Sequence, residues 1–154
     1  MITENAVYSD EVTINAPVEL VWEILLDFDN YEKWNTFCPR AINDSLELGS
    51  PVDMMVDLGQ GLSRQVEYIA RVEPHECIAW AMANLPEDPV HAIRSQSLKR
   101  LADDRCSYIS VDEFAGPEKT AMMEHFAKAV ETGFNRCAYD LKKHAEELYA
   151  GVSS

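Results

Sequence analysis

"VTINAPVELVWEILLDFDNYEKWNTFCP", residues 12–39, changes conformation twice in a short distance, and that change decides how the rest of the chain is read. Val12 and Ile14 alternate with Thr13 as in a half-buried strand, and the strand extends back over residues 7–15, "VYSDEVTIN", with Tyr8, Val12 and Ile14 on one face. Pro17 then suits the first position of a helix, where its missing N–H costs nothing. Val18, Val21, Trp22 and Leu25 recur at helical spacing behind it. After about three turns, Asp27-Phe28-Asp29-Asn30 ends this helix and caps a shorter one. Tyr31, Trp34 and Phe37 follow as a cluster of aromatics.

Downstream the period becomes two. Val52, Met54, Val56 and Leu58 alternate with Asp53 and Asp57, and Val66, Tyr68, Ala70 and Val72 alternate with Gln65, Glu67, Arg71 and Glu73. Ile78, Trp80 and Met82 continue the pattern beyond the turn around Pro74. If the even-numbered residues of strands 52–58, 64–72 and 78–82 face inward, Gln65, Glu67, Arg71 and Glu73 form a polar outer face. Two further strands are expected near 91–100 and 105–115, beyond the surface loop "NLPEDP". With Lys99 outward, Arg94, Gln96 and Leu98 face inward on one strand and Cys106, Tyr108, Ser110, Asp112 and Phe114 on the other. A three-residue loop at Ala102-Asp103-Asp104 sets Arg94 opposite Asp112. Short spacings and tight turns predict an antiparallel meander.

Gly116-Pro117 breaks the last strand. Met123, Phe126, Val130, Phe134, Cys137, Leu141 and Leu148 then repeat at three and four residues to the C-terminus. A helix of about thirty residues is roughly 45 Å long. Its apolar stripe needs a large surface, and the inner face of the curved sheet is the one available. Gly133, inside this helix, costs about 1 kcal/mol relative to alanine, so either something approaches it closely or the weakness is tolerated.

A chain of 154 residues with 47% hydrophobic side chains predicts a single folded domain over residues 1–154. Its 27 acidic against 13 basic residues give a formal charge of −14 and no basic stripe, so nucleic acid and anionic membrane surfaces are not expected partners. No leader-like N-terminus and no membrane-spanning window is visible, and the expected location is the cytoplasm, without stable membrane insertion. Cys38, Cys77, Cys106 and Cys137 are dispersed and read as buried, reduced thiols. His75, His91, His125 and His144 lack ligand spacing, so neither a metal nor another cofactor is expected.

The succession of strand, "INAPVELVWEILLDFDNYEKWN", meander, "RCSYISVDEFAG" and long C-terminal helix resembles the START-like superfamily, also called SRPBCC or polyketide cyclase/dehydrase-like. The most specific residues are Asn15-Ala16-Pro17, Val21-Trp22, Asp27-Phe28, Tyr31 and Trp34-Asn35. The resemblance implies an α+β helix-grip fold: a curved seven-stranded antiparallel sheet wrapped around the long helix, with two short helices after the first strand closing one end. It also implies a cavity between sheet and helix that takes a hydrophobic small molecule such as a lipid, a polyketide or another apolar metabolite.

Candidate ligand-contacting residues are Trp34, Phe37, Met54, Tyr68, Trp80, Met82, Tyr108, Met123, Phe126, Val130 and Phe134. Each on its own is better read as core packing; together the aromatics and flexible methionines also suit an adaptable apolar site. Arg94, Asp112 and Tyr68 are the candidates for chemistry, with Arg64 and His91 at an entrance. Three functions follow: a binding or carrier protein; a polyketide cyclase, aromatase or dehydratase in which an arginine or tyrosine stabilises an enolate and a carboxylate moves protons; and, least supported by the polar outer face, a protein-interaction module. A homodimer stays open.

Overall fold

The computed structural model describes residues 1–153. The chain runs β1 (Ala6–Tyr8), β2 (Val12–Ile14), α1 (Val18–Leu26), a 3-10 helix (Phe28–Lys33), β3 (Arg40–Ile42), β4 (Pro51–Asp57), β5 (Leu62–Glu73), β6 (Cys77–Ala81), β7 (His91–Ala102), β8 (Arg105–Ala115) and α2 (Lys119–Ser153). All pairings are antiparallel, in the order β1-β8-β7-β6-β5-β4-β3, and β2 also pairs with β8. β1 and β2 occupy one sheet position, so the eight strands fill seven places. This is the expected helix-grip architecture.

The break between β1 and β2 corrects the reading of 7–15 as one strand. Val7 is fully buried and Tyr8 only half-buried, whereas Val12 and Ile14 face the core as expected. Ser9, Asp10 and Glu11 shift the phase. The long helix binds this segment at Asp10: Asp10 N–H donates to Asn135 Oδ1 at 2.6 Å, and Tyr139 Oη–H donates to the side-chain Asp10 Oδ2 at 2.9 Å. Further along, Lys142 Nζ donates to the Thr13 carbonyl at 2.6 Å and Glu146 accepts from Asn15 N–H at 2.8 Å.

α1 begins after Pro17, whose φ of −61° and ψ of 142° are extended, so the proline sits one place before the helix. Val18, Val21, Trp22 and Leu25 are buried as their spacing requires. The helix stops because its exposed carbonyl end meets a side chain instead of another turn: Tyr31 Oη–H donates to the Leu25 carbonyl at 2.6 Å in the buried interior. The Tyr31 ring packs edge-on against Phe28 and Trp34, at centroid distances of 5.4 and 5.2 Å. Asn35 Oδ1 accepts from Cys38 N–H at 2.8 Å and turns the chain into β3.

α2 packs its backbone closest to β1, β2, β8 and α1. Ala127, Val130, Phe134, Cys137, Ala138, Leu141 and Ala145 make its buried stripe, while Phe126 and Leu148 are half-exposed. The alanines allow close approach at the β1–β2–β8 side. Across β4 to β6 the curved sheet stands away from the straight helix, and a cavity results. All four cysteines are buried and free. Among the described residues no helix is long and apolar enough to cross a membrane.

Gly133 has a specific cause. A Cβ there would lie 2.4 Å from Phe37 Cε1, and Phe37 is itself buried with its ring edge-on to Phe134 at 5.6 Å. Gly133→Ala should therefore destabilise the fold by about 1–3 kcal/mol through overpacking, despite a helix-propensity gain of about 1 kcal/mol. Urea unfolding measures this; a variant more stable than the parent would show that Phe37 moves aside freely.

Candidate functional site

The hairpin of β7 and β8 supplies the polar groups of the cavity. Arg94 pairs in register with Asp112, Gln96 with Ser110 and Leu98 with Tyr108, as the alternation predicts. The route to that register differs from expectation. The turn is the two-residue Asp103-Asp104, closed by Ala102 opposite Arg105, and a bulge at Leu101 absorbs the residue that would otherwise shift the phase.

β5 departs further. Its pairing passes from Ile69 opposite Trp80 to Arg71 opposite Ala79, which leaves Ala70 as an extra residue. Val72 faces inward beside Ile78 after the bulge, but before it the odd-numbered residues do. Glu67 lies opposite Val52 and Gln65 opposite Met54, so both share the inner face. Tyr68, proposed for both ligand contact and chemistry, is on the opposite face of the sheet, as is Val66, each 37% exposed. The outer face of β5 is accordingly less polar than the alternation implied.

The cavity has a volume of about 370 Å³, within the range of small-molecule sites. Phe37, Trp80 and Phe134 form its inner end; Met54, Val56 and Ala92 line the sheet side. Val130, Met122 and Phe126 come from α2, and Met82, Val90 and Leu58 stand toward the mouth. Of the sequence candidates, Trp34 lies elsewhere, stacked on His144 at 6.2 Å in a separate surface depression. Tyr108 is fully buried behind the cavity and donates to Gln96 Oε1 at 2.6 Å. Met123 packs against the core and its neighbour Met122 lines the cavity. Arg64 forms a two-pronged ion pair with Asp53, with N···O distances of 2.9 and 2.7 Å, and His91 Nε2 lies 2.7 Å from the Leu85 carbonyl; neither lines the cavity.

Arg94, only 6% exposed, is the cation of the site. Although it stands opposite Asp112, Arg94 forms no ion pair with it: among the described residues, Arg94 has no carboxylate oxygen within 4 Å. Its Nε–H donates to Ser110 Oγ at 2.9 Å, and Nη2 reaches Cys137 Sγ at 3.9 Å. The guanidinium lies over the Phe134 ring at 4.3 Å, with Phe37 and Trp80 at 5.4 and 5.8 Å. Aromatic faces thus supply part of its counter-charge. Burial alone would lower its pKa; Tyr108, Cys137 and Asp112 outweigh that and keep it charged.

Two acids share the inner face of the sheet with this cation. Burial pushes the Glu67 carboxyl up to about 7, Asp112 adds to the rise and Arg94 opposes it. Burial likewise pushes Asp112 up to about 7, against Arg94 and with a contribution from Glu113. Asp112 Oδ1 is buried without a hydrogen-bond partner. Near neutral pH these acids exchange protons while the arginine stays charged, so the site holds a fixed cation beside groups able to give or take a proton. Burial raises the Cys137 thiol and pushes Cys38 up to about 12, which keeps both from acting as thiolates. Among the described residues no cluster of three His, Cys, Asp or Glu side chains could hold a metal ion.

The sequence pattern of the family described as polyketide cyclase / dehydrase and lipid transport matches residues 6–146. The chain belongs to that family. Its fold is similar to the Zhui aromatase/cyclase from a Streptomyces species, at a TM-score of 0.72 and 20% identity over 92% of this chain and 93% of that one. A START superfamily protein from Mycobacterium smegmatis gives a TM-score of 0.69 and 15% identity over 94% and 99% of the two chains. A norcoclaurine synthase from Thalictrum flavum gives 0.68 and 14%, covering 97% and 96%. No curated protein sequence matches the chain. The polyketide cyclase / dehydrase family fold is one that binds hydrophobic ligands, in keeping with the apolar cavity.

The raised carboxyls set a pH dependence. Relative to ordinary values of 4.5 for Glu67 and 3.8 for Asp112, the folded chain keeps protons that the unfolded chain has released. Their contribution to stability therefore falls as pH rises from about 4 to about 7 and levels off above. Glu67→Gln should flatten this slope and be more stable than the parent at alkaline pH, since Asp112 still balances Arg94. Urea midpoints measured across this range test it; a parallel slope in the variant would mean that Glu67 ionises as freely as an exposed side chain.

Proposed function

We propose that the protein binds a hydrophobic small molecule, a lipid, polyketide or other ring-containing metabolite, in the cavity between the sheet and α2. The observation that carries this is the cavity itself: about 370 Å³, walled by aromatics and flexible methionines, with its few polar groups gathered around Arg94. An apolar body would gain about 25 cal/mol per Å² of surface removed from water, and the polar cluster would orient it. Native mass spectrometry of protein isolated from its own host tests the reading. A retained apolar ligand is expected in the parent, and its loss is expected in Val130→Trp, which fills the cavity from the helix side while circular dichroism stays unchanged. A parent free of ligand that takes up an apolar fluorescent probe no better than Val130→Trp would contradict it.

The proton-exchanging acids beside a fixed cation favour a second reading, a polyketide cyclase or dehydratase. There the aromatic walls fold a poly-β-ketone so that reacting carbons meet. Arg94 stabilises the enolate oxygen, and Asp112 or Glu67 moves the proton. Turnover of a poly-β-ketone mimic by the parent, lost by about 100-fold or more in Arg94→Ala and Asp112→Ala, would support catalysis; turnover equal in all three would remove these residues from any mechanism.

A further inference from the structure

The bulge at Ala70 turns Gln65 and Glu67 inward, where unbroken alternation would leave them in solvent. Both line the cavity on its β5 wall. Ile69, the next inward residue of β5, stands beside Trp80, and Trp80 beside Arg94. Glu67 and Gln65 therefore lie one and two rungs nearer the mouth, about 7 Å apart along the strand. Among the described residues, neither side chain makes a hydrogen bond or an ion pair. Neither is sealed off, because the unpartnered polar side-chain atoms without accessible surface are Asp112 Oδ1 and Arg136 Nε.

Once an apolar body fills the cavity, an ionised Glu67 has nothing beside it to replace water. The α2 side chains that line the cavity, Met122, Phe126, Val130 and Phe134, carry no donor. A carboxylate enclosed without a cation or donors of its own is costly, so a bound ligand meets the acid form. That form has an O–H to give, and the Gln65 amide has two N–H groups.

We propose that the ligand carries a carbonyl oxygen on its flank, and that Glu67 as the neutral acid, with the Gln65 amide beside it, donates hydrogen bonds to that oxygen. This rests on the cavity being the ligand site, and it names the ligand class: a ring compound with a ketone or other neutral carbonyl. A carbonyl oxygen has two lone pairs and no hydrogen, so it takes both donors and requires neither residue to ionise. A carboxylate would add a further negative group near Glu67 and Asp112. An amine would pair with the ionised form and prefer higher pH, whereas a hydroxyl serves either form and is indifferent to it. The charged or titrating groups toward Glu67 are Asp112 on β8 and Arg94 on β7, with Cys38, ahead of β3, held as a neutral thiol. α2, β4 and β6 present only uncharged side chains to the cavity.

Displacement of N-phenylnaphthylamine from the whole chain by 2-acetylnaphthalene and by 2-isopropylnaphthalene, a hydrocarbon of the same outline, isolates the carbonyl as the ratio of the two affinities. Neither competitor ionises, so pH acts through the protein alone. In the parent, the preference for the ketone relative to the hydrocarbon should fall about fivefold or more from about pH 6 to about pH 8.5, the scale of one hydrogen bond. In Glu67→Gln, whose amide donates at every pH, the ratio should stay level; in Glu67→Leu it should be low at both. With the carbonyl of 2-acetylnaphthalene labelled with carbon-13, its bound resonance at about pH 6 should lie downfield in the parent of its position in Glu67→Leu. A ratio that is level or rises with pH in the parent overturns the proposal, and so does a fall that persists in Glu67→Gln, which would place the titrating donor elsewhere. Displacement by both competitors without a pH-dependent ratio leaves the apolar ligand site standing and removes only the carbonyl recognition; failure of all three probes to bind removes both.

Discussion

The contact on which the architecture depends is the one-sided seating of α2. The helix is held to the broken β1–β2 edge by Asn135, Tyr139, Lys142 and Glu146, each bonded to backbone or side-chain atoms of residues 10–15. It is held to the aromatic corner by Asp140, which accepts from Thr36 N–H at 2.9 Å and Thr36 Oγ1 at 2.6 Å. A straight rod fixed along one side of a curved sheet cannot touch the other side as well. The space under β4 to β6 follows from geometry, and the aromatic and methionine side chains line it without filling it.

Arg94 shows what that space makes of a charge. A guanidinium buried in a packed core needs a carboxylate partner, and breaking such a pair costs several kcal/mol. Here the cation rests on Phe134 and is hydrogen-bonded to Ser110, while two acids of raised pKa share its face of the sheet. None of the three is paired as a packed core would demand. Polar groups held in this condition within an apolar cavity support the proposed ligand site.

The helix-grip topology was implied by the family resemblance, and the short β3 and the break between β1 and β2 were not legible; the inward placement of Arg94, Gln96, Asp112 and Phe114 was, because simple alternation holds throughout β8 and most of β7. Tyr68 was misplaced because one extra residue, Ala70, reverses the face of half a strand, and a bulge leaves no trace in hydrophobic periodicity. The same reversal hid Glu67, whose charge marked it for the outer face. Trp34 and Phe37 looked equivalent as neighbouring aromatics; the turn made by Asn35 sends one to His144 and the other beneath Gly133. Gly133 was itself a signal, since a glycine in a long helix is costly unless something lies against it.

Six methionines provide a direct test of where the ligand goes. Met54, Met82 and Met122 line the cavity, whereas Met55 alternates to the opposite face of β4 and Met1 lies exposed at the N-terminus. With the methyl groups labelled with carbon-13, titration with an apolar ring compound such as N-phenylnaphthylamine should shift the Met54, Met82 and Met122 resonances together and saturably. Met55 and Met1 should stay in place. Shifts confined to Met55, or uniform small shifts at every methionine, would mean that the space beneath α2 is not where this protein takes its ligand.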